Sequence, residues 1–169
     1  MAPSNTIFIY GTLLDNDILR LVLGRELPVD QRIEATLAGY AKYTYPGDSF
    51  PILQPQLDAQ SNGAVLLDLT AEDLDRMHFY EGDEYGFAQI TVTLKDGQIC
   101  QAHYNKASDE ELVSHQTWSL NHWQSTEKAL FLDYTERYMA LYGNLSIDEA
   151  DAVWRDMVDT PNLHKTITA

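Results

Sequence analysis

Cysteine, basic side chains and long apolar runs are the things this chain of 169 residues has little of. Its one cysteine, Cys100, rules out an internal disulfide and agrees with a reducing compartment. Only 11 lysines and arginines stand against 26 aspartates and glutamates, and the formal charge of −15 repels nucleic-acid backbones and acidic membrane surfaces. Although 44% of the residues are hydrophobic, no run approaches the roughly 18 to 20 apolar residues that span a bilayer. The opening Met1-Ala2-Pro3-Ser4-Asn5 lacks a basic segment followed by an apolar one, so no secretory signal is expected. Repeats and low-complexity stretches are missing as well. The expectation is a cytoplasmic globule with no nucleic-acid or membrane partner, long enough to bury a core without disulfides or metals. Its acidity is spread along the chain, which reads as a solvated surface and names no function. Composition leaves the oligomeric state open.

What is present is a sequence of well-marked elements. Ile7-Phe8-Ile9 is a short strand pattern that runs into Tyr10-Gly11-Thr12-Leu13. There a glycine allows close backbone approach, and successive N–H groups leaving the strand can converge on a carboxylate or a developing oxyanion. Asp15 or Asn16 is placed to cap a helix with Ile18, Leu19, Val22 and Leu23 on one stripe and Gly24 as its stop. A long strand over 32–45, bent at Gly39, should end in the turn Pro46-Gly47-Asp48. Residues 49–62 hold Pro51, Pro55 and several amides and read as an irregular loop with at most an edge strand, followed by a buried strand over 63–69. Thr70 and Asp73 have the spacing of a capping box for a helix that Gly82 terminates. Lys95-Asp96-Gly97 between the alternating runs 89–94 and 98–104 predicts a hairpin. Past Lys106 the pattern becomes helical over 119–142, stopped by Gly143, and a further helix opens with Ser146 and Glu149 and ends before Pro161.

This order favours an α+β fold, a small curved sheet or barrel with flanking helices, since doubly wound folds alternate strand and helix throughout. The chain divides at 106/107 into a barrel-forming part and a C-terminal helical extension packed on the same domain. In that extension Trp118, Trp123, Tyr134, Tyr138, Tyr142 and Trp154 have helical spacing and read as core or sheet-covering residues. A partner surface, or a cover over one mouth of the barrel, are the other readings of the same aromatics.

Chemistry is concentrated at Phe79-Tyr80-Glu81-Gly82-Asp83-Glu84-Tyr85. At the C-terminal end of a helix the macrodipole disfavours an anion, Asp83 and Glu84 add like charge, and Phe79, Tyr80 and Tyr85 can desolvate. All three effects make the ionised form of Glu81 less favourable, which suits a general acid/base. The competing reading of Glu81 is a solvated acidic turn, and that of Tyr10-Gly11-Thr12 is a plain strand-to-helix connection. The local sequence leaves both open.

At these residues the chain resembles the γ-glutamylcyclotransferase-like superfamily, in its AIG2-like branch. Tyr10-Gly11-Thr12-Leu13 matches the N-terminal signature, 63–69 resembles the strand before the catalytic segment, and Phe79-Tyr80-Glu81-Gly82, Tyr85 and Ile90-Thr91-Val92 complete the order. The likeness covers roughly 7–104. It implies a small mixed barrel, Glu81 as acid/base, and a substrate site at Tyr10, Gly11, Thr12, Leu13 and Tyr85. The implied reaction is attack of a γ-glutamyl α-amine on its own γ-carbonyl, an acyltransferase or lyase type of chemistry that releases 5-oxoproline and a free amine without metal or cofactor. Where the family often has a basic residue after its first motif, an aspartate three residues before the glutamate and an arginine two residues after the second motif's tyrosine, this chain has Leu14, His78 and Phe87. The alternative is a non-catalytic module that binds a small molecule. Metal-dependent hydrolysis through Glu81, Asp83, Glu84 and a histidine is the weaker competitor, because His78, His103, His115, His122 and His164 show no metal-ligand spacing.

Overall fold

Ile7, Phe8 and Ile9 are all buried, and a strand carries three apolar residues in a row only when both of its faces are covered. The computed structural model describes residues 5–47, 49–82, 85–107 and 114–159 and shows what covers them. Strands β1 (Ile7–Ile9), β2 (Arg32–Thr44), β3 (Pro51–Leu66), β4 (Tyr85–Leu94) and β5 (Ile99–Ala107) close a barrel in the order β1-β3-β2-β4-β5, with β1 parallel to β5 at the closure. Helices α1 (Asn16–Leu23), α2 (Ala71–Glu81), α3 (Leu120–Thr126), α4 (Lys128–Met139) and α5 (Ile147–Asp159) complete the α+β architecture. Alternation along β1 sends Phe8 into a cluster with Ala35, Val65, Val92, Ala102 and Tyr104, while Ile7 and Ile9 join Ile18, Met77, Trp123 and Phe131. The two clusters meet across a three-residue strand. No helix among the described residues is long and apolar enough to cross a membrane.

Most local signals correspond to the expected elements. Asp15 caps α1 by accepting the amides of Asp17 and Ile18, and Gly24 closes it in the left-handed region at φ 71°. The capping box of α2 is complete: the Thr70 hydroxyl accepts the Asp73 amide and the Asp73 carboxylate accepts the Thr70 amide. β2 bends where its register slips between Ala38 and Tyr40, at Gly39 with φ 82°. Of the C-terminal aromatics, Trp123, Tyr134 and Tyr138 are buried, and Tyr142 and Trp154 are part-buried against the core cluster.

The expected loop over 49–62 is a correction. From Pro51 the chain forms one 16-residue strand that pairs with β2 in two stretches, Thr44↔Pro51 to Tyr40↔Pro55 and Ala38↔Gln60 to Arg32↔Leu66, with residues 56–59 bulging out between them opposite Gly39. Its middle residues are exposed, Leu57 at 90%, so no apolar alternation marks it, and Pro51 stands at the strand's first position, where a missing N–H is tolerated. The strand also ends at Leu66, short of 69, ahead of Asp68 with φ 52°. The single helical stretch expected over 119–142 breaks at Glu127 into α3 and α4. Asp48, Asp83, Glu84, Pro161, His164 and the side chain of Tyr85 lie outside the described residues.

Candidate active site

Directly after β1 the chain tightens into a 3-10 turn at Thr12–Leu14, where the amides of Leu14 and Asp15 bond the carbonyls of Gly11 and Thr12, both at 3.0 Å. The amides of Thr12 and Leu13 come before the first of these bonds, as donors do at a helix start. Glycine at 11 has a packing cause as well: a β-carbon there would stand 2.9 Å from the Pro51 ring. Tyr10 is buried and its hydroxyl donates to the Asn105 carbonyl at 2.8 Å, which ties the end of β1 to β5. Thr12 is buried with its hydroxyl 2.8 Å from that of Tyr80, and this bond joins the turn to the end of α2. The Leu13 side chain belongs to the core.

α2 ends where the Gly82 amide meets the His78 carbonyl, with Gly82 at φ 78°. Asp73, Met77 and Phe79 fix the buried face of the helix, and Glu81 is carried to a cavity of about 320 Å³ that Tyr10, Gly11, Thr12, Leu13 and Asn105 also line. Burial pushes the Glu81 carboxyl from the usual 4.5 up to about 7, and a hydrogen bond with the Asn105 side chain opposes the rise. Desolvation is thus the main cause; Asp83 and Glu84, expected to contribute like charge, lie outside the described residues. The Tyr10 and Tyr80 hydroxyls are pushed up by burial first and by the charge of Glu81 second, so both remain protonated donors at neutral pH. Asn105 is a site residue that sequence reasoning missed, because an asparagine within a strand carries no signal of its partner.

The other wall of the cavity comes from α4 and α5 through Phe131, Thr135, Tyr138, Asp151, Trp154 and Arg155. Their spacing of three and four residues was visible, but a stripe that lines a cavity looks like one that packs a core. Two sets of contacts hold this wall. The Tyr138 hydroxyl donates to the Phe79 carbonyl at 2.8 Å, one residue from Tyr80, and Lys128 pairs with Asp15 at 2.9 Å and Asp17 at 2.8 Å on α1. Burial alone would raise the Asp15 carboxyl; Lys128, Gln124 and the Ile18 amide instead hold it below the usual carboxylate range. Leu14 and Phe87, where the resemblance expects basic residues, pack as part-buried apolar groups on the cluster that Ile7 and Ile9 join. Among the described residues no group of three or more His, Cys, Asp and Glu side chains has the geometry to hold a metal.

The sequence pattern described as gamma-glutamyl cyclotransferase, AIG2-like, matches residues 7–124 and so stops before α4. AIG2-like protein D of Arabidopsis thaliana is 27% identical over 139 residues, 79% of this chain and 88% of that protein. AIG2-like protein A of the same plant is 24% identical over 140 residues, 80% of this chain and 81% of its own. In three dimensions a solution structure from Arabidopsis thaliana superposes with a TM-score of 0.60 at 19% identity, covering 84% of this chain and 85% of the other. A structure of a gamma-glutamyl cyclotransferase superposes with a TM-score of 0.51 at 13% identity, covering 89% and 98%. At such identities the structural likeness speaks for the fold alone. With the match spanning all five barrel strands and both motifs in order, the chain belongs to the gamma-glutamyl cyclotransferase, AIG2-like family.

Proposed function

We propose that this protein is a γ-glutamyl cyclotransferase with Glu81 as its proton carrier. The observation that carries the reading is a desolvated carboxyl, raised to about 7, in the same small cavity as the backbone donors of the 11–13 turn. In the proposed reaction the amides of Gly11, Thr12 and Leu13 hold the substrate's carboxylate or polarise its γ-carbonyl. Glu81 takes a proton from the α-ammonium, and the freed nitrogen attacks the γ-carbon. The new nitrogen–carbon bond closes the five-membered lactam as the bond from the γ-carbon to the amine breaks. Protons shed by the attacking nitrogen end on the departing one through Glu81, so the products are 5-oxoproline and a protonated amine. A group whose pKa lies near 7 serves both transfers. Nucleophile and electrophile share one molecule, so the site's main task is to hold a bent conformer, a route with large effective molarity. No side-chain nucleophile enters the scheme. Tyr85 belongs to the proposed substrate site on the motif alone.

The test is 5-oxoproline release from a panel of γ-glutamyl amines and dipeptides by the wild-type chain and Glu81→Gln. Release that falls by roughly 10² or more in a folded variant is the expected outcome, the scale of a lost acid/base group. Retained turnover removes Glu81 from the mechanism. Silence of the folded wild-type protein across the panel moves the reading to a small-molecule-binding module of the same fold.

A further inference from the structure

The two walls of the cavity differ in chemistry. The barrel wall offers Glu81, Asn105 and the donors of the turn, whereas the α4–α5 wall presents the rings of Phe131, Tyr138 and Trp154 beside Asp151 and Arg155. The Trp154 indole is fixed by edge-to-face contacts with Phe131 at 5.9 Å, Tyr134 at 5.6 Å and Tyr138 at 5.8 Å, and it still keeps part of its surface accessible. A ring held this way is a preformed apolar platform, because ordering it took place on folding and not on binding. The Asp151 carboxylate lies 3.4 Å from the Tyr138 hydroxyl, whose proton goes to the nearer Phe79 carbonyl. Arg155, one turn further along α5, is exposed and is the one lysine or arginine among the described residues that line the cavity.

We propose that the α4–α5 wall is a leaving-group subsite that selects γ-glutamyl amides of aromatic amino acids, with Trp154 against the ring and Arg155 at the free carboxylate. The inference rests on the cyclotransferase reading, in which the glutamyl half occupies the barrel wall and the amine substituent is the part of the substrate still to be housed. The bond changes are those given above: the α-nitrogen joins the γ-carbon, the amide bond breaks, and the aromatic amino acid leaves with its nitrogen protonated. The subsite acts on which amine is accepted, through contacts made by the substituent.

The experiment measures 5-oxoproline release from γ-glutamyl-phenylalanine, γ-glutamyl-alanine and γ-glutamyl-phenethylamine, with calorimetric binding of γ-glutamyl-phenylalanine alongside, for the wild type, Trp154→Leu and Arg155→Gln. For the wild type, kcat/KM for the phenylalanine amide should exceed that for the alanine amide by about tenfold, the scale of a ring–ring contact. Trp154→Leu should bring that ratio toward one. Arg155→Gln should narrow the preference for phenylalanine over phenethylamine by about threefold, the scale of an exposed ion pair. Because Arg155 is exposed, its replacement keeps the test valid even where Trp154→Leu does not fold. Equal turnover of all three amides, or preferences that survive both substitutions, overturns the subsite and leaves the cyclotransferase reading standing. No release from any amide, together with binding that weakens in the variants, keeps the subsite and removes the activity. Neither release nor binding defeats both.

Discussion

Glu81→Gln should make the protein more stable at neutral and alkaline pH, and the gain should vanish in acid. Burial holds the Glu81 carboxyl up from 4.5 to about 7, so in the folded chain it stays neutral over a range where the unfolded chain has already ionised it. For a raised pKa the sign is fixed: the favourable contribution is complete below the unfolded value and is lost as the pH rises through the folded one. At about 1.4 kcal/mol per pKa unit, the difference corresponds to roughly 3 kcal/mol, and solvent in the cavity trims this to about 2–3 kcal/mol. Glutamine keeps the shape of the side chain and can still bond Asn105, but it carries no charge to desolvate. For a chain of this length 1 kcal/mol moves the Tm by about 2–4 °C, so at pH 8 the variant should melt roughly 5–10 °C above the wild type. Near pH 4 the two melting temperatures should converge, since the carboxyl is then neutral in both folded and unfolded chains. Other carboxylates titrate in both proteins alike, so the difference between the two melting curves isolates Glu81. A pH-independent difference, or a variant less stable than the wild type at pH 8, would refute the claim that this carboxyl is held desolvated at a cost to the fold.

Three further perturbations have signs set by the structure. Asn105→Leu removes the hydrogen bond that opposes the rise of the Glu81 pKa, so the acid limb of the kcat/KM profile should move to higher pH, as followed by 5-oxoproline release. Gly63→Ala puts a β-carbon 2.3 Å from the Ile9 carbonyl oxygen and 2.5 Å from the Phe8 ring, and denaturant titration should show a loss of about 1–3 kcal/mol or more. Lys128→Met leaves the Asp15 carboxylate, 1% exposed, without its cation while Gln124 and the α1 amides remain. The loss should be about 2 kcal/mol at pH 7, below the 3–5 kcal/mol of a wholly uncompensated charge. Because the Asp15 carboxyl is held below its usual 3.8, that stability is present above this value and lost as the pH falls, so the deficit should shrink in acid.

Local grammar made much of the fold legible. Asp15 before Asn16, Thr70 with Asp73, Gly24, Gly39 and Gly97 each act on their own few residues of backbone, and the structure carries each signal through. The 49–62 stretch was illegible for a matching reason. Its middle residues are exposed and bulge out at 56–59, and what orders the flanking stretches is pairing with β2, a contact that leaves no apolar period in the chain. The break at Glu127 was likewise unmarked by glycine or proline.

The candidate site divides along the same line. The family resemblance pointed to the 10–13 turn and to Glu81, where local sequence alone left a plain connection and a solvated turn open. That burial would dominate the state of Glu81, that Asn105 would oppose it, and that Phe131, Trp154 and Arg155 would line the opposite wall depended on groups brought together from β5, α4 and α5. The sequence by itself determined which backbone segments cap, turn and bury, since those preferences are satisfied within a few bonds. Only the tertiary structure decided the protonation of the carboxyl and the shape of its cavity, since desolvation is produced by neighbours distant in the chain.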